Sequence, residues 1–77
     1  MSRVISVSPV GDGWAVRTDA FESEMLFLSG AKAEAAARRL AGAWARSGES
    51  AEIRIFLRDG ALAGRFDIPA RPVALAG

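Results

Sequence analysis

The sequence predicts an α+β domain: a five-strand, mostly antiparallel sheet in the order βββαββ, with one helix packed on one face. Three observations predict it. Alternating segments flank Gly11-Asp12-Gly13, and others flank Asp59-Gly60, so each pair reads as a hairpin. Between the hairpins, an alanine-rich stretch from Ser29 to about Ser47 carries helical spacing. The 77 residues suffice for one domain and not two, so 2–69 is read as a single βββαββ domain and 70–77 as a C-terminal tail.

Residues 3–10 combine alternation with β-branched side chains, and the chain returns as Trp14-Ala15-Val16-Arg17-Thr18. A two-residue turn at either Gly11-Asp12 or Asp12-Gly13 puts Ile5, Val7, Trp14 and Val16 on one face, because the two registers differ by an even step. A second turn near Asp19-Ala20 leads into a strand over Glu22 to Leu28. The run Met25-Leu26-Phe27-Leu28 does not choose a face by alternation. Pairing Trp14 with Met25 sends Met25 and Phe27 inward, and leaves Leu26 and Leu28 on the opposite face or at its edge.

Ser29 is the expected N-cap of the helix. Alanine, the best helix former, fills eight positions between 31 and 45. Ala33, Ala36, Ala37, Leu40 and Trp44 form a narrow apolar stripe, with Leu40 and Trp44 as its expected anchors. Arg38, Arg39, Gly42 and Arg46 face away, and Gly48 suits a left-handed C′ position. In the last hairpin Ile53, Ile55 and Leu57 alternate with charged residues and Phe56. A type I′ turn at Asp59-Gly60 then pairs Leu57 with Leu62, Ile55 with Gly64 and Ile53 with Phe66 on the core face. On the other face it sets Arg54 opposite Arg65 and Glu52 opposite Asp67, with complementary diagonals.

A strand through Pro9, the return segment Gly11-Asp12-Gly13-Trp14-Ala15-Val16-Arg17, the alanine-rich helix and the strand–Asp59-Gly60–strand hairpin together form a pattern. It resembles the small bacterial family catalogued as a domain of unknown function, number 2188, over about residues 3–68. The resemblance implies a βββαββ domain of this length with no settled biochemical role. The tail after Pro69 is longer and more apolar than that family's pattern.

Composition bears on function mainly by exclusion. Ten basic and nine acidic side chains leave a net charge of +1, too balanced to indicate a nucleic-acid or membrane partner. Histidine, cysteine and tyrosine are all absent, which removes imidazole acid/base chemistry, thiolate nucleophiles, disulfides and cysteine-based metal sites. No catalytic, cofactor or metal residue is expected, and the chain is read as a non-enzyme. Glu22 and Glu24, placed on one strand face, are better explained as solvated edge residues than as an acid/base pair. Gly11-Asp12-Gly13 lacks the lysine and following helix of a phosphate loop and is explained by turn chemistry. Lys32, Arg38, Arg39 and Arg46 form a basic helix face of the ordinary solvated kind. No signal peptide or membrane span is read, and the expected location is the cytoplasm.

One helix covers only one face of such a sheet, and the other carries Val4, Leu26, Leu28 and Phe56. That set is more apolar than a solvated face requires. The expected function is therefore a small interaction module, self-associating as a homodimer or binding another protein. The expected interface is Val4, Leu26, Leu28, Phe56, Val73 and Leu75, through this face, an edge strand or the tail. The alternative is a single-stranded nucleic-acid platform, with Phe56 stacking a base and Arg17, Arg54, Arg58 and Arg65 holding phosphates.

Overall fold

The computed structural model describes residues 2–71. Its elements are β1 (Arg3–Val10), β2 (Gly13–Thr18), β3 (Met25–Phe27), α1 (Gly30–Arg46), β4 (Ala51–Phe56) and β5 (Leu62–Ile68). The five strands form one mixed sheet in the order β3-β2-β1-β4-β5, and α1 packs on one face of it. Three of the neighbouring pairs are antiparallel; the central pair, β1 with β4, is parallel. A parallel pair cannot be joined by a tight turn, and the segment through β3 and α1 supplies the long crossover between its strands.

The first hairpin takes the earlier of its two possible registers. Val10 pairs with Gly13 and Val7 with Val16, so the turn is Gly11-Asp12. Gly11 has φ +55° while Asp12 stays at negative φ, the sign pattern of a type II′ turn. Ile5, Val7 and Val16 are fully buried on the helix side, and Trp14 packs against them.

The third strand departs from expectation in length and register. It spans three residues rather than seven, and it pairs Trp14 with Phe27 and Val16 with Met25. A Thr18–Phe21 turn is followed by an irregular passage, so the connection is longer than a tight hairpin allows. The slip is by two residues, an even number, so Met25 and Phe27 still face the helix.

Helix α1 begins where capping chemistry places it. Ser29 is extended, its Oγ accepts the Lys32 amide (3.2 Å), and its carbonyl accepts the Ala33 amide (3.1 Å). The buried line along the helix is Ala33, Ala37, Ala41 and Ala45, with Ala36 beside it. Leu40 and Trp44 are half-buried flanks rather than the anchors expected of them. The reason is steric: a line of methyl groups at i, i+4 spacing lets the backbone approach the sheet, and larger side chains fit only beside it.

The last hairpin keeps its expected register from Ala51↔Ile68 to Ile55↔Gly64, then shifts by one residue so that Phe56 pairs with Leu62. Its loop is not the two-residue type I′ turn. Gly60 has φ +90° and donates to the Leu57 carbonyl (3.0 Å), Asp59 remains at negative φ, and the Leu57 amide donates to the Ala61 carbonyl (2.8 Å). This is a three-residue loop, Arg58-Asp59-Gly60, closed by a glycine bulge. The Asp59 carboxylate accepts the Ala61 amide (3.0 Å), which holds the turn. Ala63 becomes the extra residue of a second bulge, so Leu62 stands beside Phe56 on the helix-free face instead of facing the core. Leu57 and Leu62 are each half exposed as a result.

Candidate functional site

The sheet register arranges the helix-free face in three bands. At the end near the hairpin turns, Leu26 pairs with Ala15 and Ala15 with Ser8. Ser8 and Phe56 are the next residues along after the Val7↔Ile55 pair, and Phe56 pairs with Leu62. An apolar row therefore crosses the sheet from Leu26 to Leu62. Ala15 is buried here although no helix covers it, Phe56 is partly buried, and Leu26 and Leu62 are 66% and 51% exposed.

The middle band is cationic. Arg17 pairs with Ser6, Ser6 with Arg54, and Arg54 with Arg65, so three arginines lie in one row. The third band sets Val4 beside Glu52 and Glu52 beside Asp67. The carboxylates neutralise most of the cationic row. Arg17 binds Glu24 and Arg54 binds Glu52 on its own strand, in place of the expected cross-strand diagonals. Arg58 lies off the row and donates to the Gly11 carbonyl (2.8 Å), tying the β4–β5 loop to the β1–β2 turn. These exposed ion pairs add little stability, but they remove free positive charge from the face.

Of the expected interface residues, the fold brings Val4, Leu26 and Phe56 onto one surface and adds Leu62. Sequence reasoning assigned Leu62 to the core because the bulge at Ala63 has no signature in the alternation. Leu28, just beyond β3, is 89% exposed. Val73 and Leu75 lie outside the described residues.

Two clefts open on the surface. One, of about 280 Å³, is apolar and lined by Val10, Gly13, Trp14, Leu26, Phe27 and Leu28, at the Leu26 end of the apolar row. Its floor is tightly set: a methyl group at Gly13 would sit 2.6 Å from the Phe27 carbonyl oxygen. The other, of about 550 Å³, is polar and lined by Arg17, Phe21, Glu22, Ser23 and Glu24. Glu22 and Glu24 belong to the β2–β3 connection rather than to one strand face, and Glu24 is held by Arg17.

Among the described residues no cluster of three or more carboxylates is placed to hold a metal ion, and no helix is long and apolar enough to cross a membrane. No family model, no curated protein and no solved structure matches the chain.

Proposed function

We propose that this chain is a non-enzymatic interaction module whose helix-free sheet face binds a second copy of itself in the cytoplasm. The observation that carries the proposal is the apolar row from Leu26 through Phe56 to Leu62, exposed beside a cationic row neutralised by its own glutamates. A two-fold axis running along the apolar row stacks it on its own copy and carries the charged bands outward to opposite sides. With a net charge of +1, long-range repulsion between copies is small. Kinship with the family of unknown function noted above fits this reading and adds no activity to it.

Sedimentation tests the proposal. The wild-type chain should run at twice its monomer mass, and Phe56→Glu or Leu62→Glu should return it to the monomer. A clean monomer at high protein concentration would sink the idea.

The alignment of Arg17, Arg54 and Arg65 in one row favours a second reading, in which a single strand of nucleic acid crosses the face and stacks on Phe56. Binding would then fall steeply with salt and be lost in Arg54→Ala/Arg65→Ala. Two of the three arginines already hold carboxylates, so self-association is the better-supported reading.

A further inference from the structure

We propose that the apolar cleft beside β3 receives the segment Val73-Ala74-Leu75-Ala76 of a second copy, which adds to the β3 edge and seats Leu75 between Trp14, Leu26 and Leu28. The proposal rests on the self-association reading and specifies how one copy grips the other.

Three observations support it. First, β3 is an edge strand, so the outer side of its backbone is available to an added strand. Second, the cleft matches an aliphatic side chain. Its lining is apolar, and its volume of about 280 Å³ falls just below the roughly 300–1,000 Å³ typical of small-molecule sites. In an extended segment, Val73 and Leu75 share one side and Ala74 and Ala76 the other, so the larger pair enters together.

Third, the reach of the chain decides between copies. The Arg71 amide donates to the Ala45 carbonyl (2.9 Å), which anchors the chain at the C-terminal end of α1. The cleft lies at the other end, where Gly30 abuts the Trp14 ring closely enough that a methyl group there would lie 3.0 Å from it. From Gly30 to Ala45 the helix rises about 22 Å. Leu75 is four residues past Arg71 and extends at most about 14 Å from it. A chain therefore cannot fill its own cleft with Leu75, and a second copy can.

The absence of cysteine makes crosslinking a clean test. A mass-labelled full chain carrying Leu28→Cys is mixed with an unlabelled full chain carrying Leu75→Cys and oxidised gently. Seating in trans brings the two positions within disulfide range, so the mixed disulfide should exceed both symmetric products. In parallel, Leu75→Glu in the full chain should weaken self-association by about tenfold or more. A dimer that persists in Leu75→Glu and yields no excess of mixed disulfide would overturn tail insertion while leaving the face-to-face reading standing. A monomeric wild-type chain would overturn both. Efficient closure of a disulfide within one chain, in a Leu28→Cys/Leu75→Cys double variant, would also overturn the proposal.

Discussion

The Arg3 guanidinium lies over the Trp44 ring, 4.8 Å from its centroid, while its Nε donates to Glu49 at 3.0 Å. Trp44 and Glu49 are the two residues that a Schellman motif joins. Gly48 takes φ +93°, the Glu49 amide donates to the Trp44 carbonyl (2.8 Å), and the Gly48 amide donates to Ala45 (3.1 Å). Such motifs usually add an apolar contact between these two positions. Here a cation from the first strand takes that part, and it fastens the start of β1 to the end of α1. The hydrogen bond to Glu49 raises the Arg3 pKa above its ordinary value, so the clasp stays charged. Arg3→Ala should speed amide exchange at Gly48 and Glu49 while leaving the β4–β5 amides unchanged. Equal exchange in both proteins would mean that the clasp does not hold the cap.

The alanine line makes the helix–sheet distance a sharp constraint. Ala37 is fully buried and Ala43 exposed on the same helix. Ala37→Leu should destabilise the fold by about 1–3 kcal/mol through overpacking, measured as a lower urea midpoint. Ala43→Leu should stay within about 0.5 kcal/mol of wild type, as a surface substitution. Similar effects at the two sites would show that the helix can lift off the sheet freely.

Two glycines should respond in opposite directions to the same added methyl group. At Gly13 it meets a backbone carbonyl that cannot yield cheaply, so Gly13→Ala should cost about 1–3 kcal/mol. At Gly42 it meets only the end of the Arg46 side chain, 3.6 Å away, so Gly42→Ala should stabilise the helix by about 0.5–1 kcal/mol. Thermal denaturation of both variants checks the sign of each change.

Salt should separate the two readings of the sheet face. Association through the apolar row should strengthen in sodium sulfate, which favours burial of apolar surface. Binding of a single strand along Arg17, Arg54 and Arg65 would instead weaken with salt through loss of counterion release. Sedimentation and a fluorescent oligonucleotide titration, run across the same salt series, report the two trends.

The missed details in the reading of this chain share a cause. Leu62 alternates correctly with Gly64, Phe66 and Ile68, yet the bulge at Ala63 turns it out to solvent beside Phe56. A bulge is set by how the strand and its loop must twist together, and nothing in the alternation marks it. Leu40 and Trp44 lie on the correct side of the helix, but whether they or the alanines touch the sheet depends on interaxial distance. The apolar cleft was not legible at all, because it needs Val10, Trp14 and Leu28 from three separate places to meet at one corner.

The sequence by itself determined the elements and their inward faces. Period-two alternation, the Ser29 cap, the alanine content and the glycine positions act within a few residues of one another, and each has a local energetic reason. Only the tertiary structure decided that β4 lies parallel to β1 at the centre of the sheet, with β3 and β5 left as edges. That choice belongs to the packing of α1 over the central strands, since burying Ile5, Val7 and Ile53 under a close alanine face requires β1 and β4 side by side. The bands of the helix-free face follow from the same pairing: Leu26, Phe56 and Leu62 form one row only after the strands have been ordered.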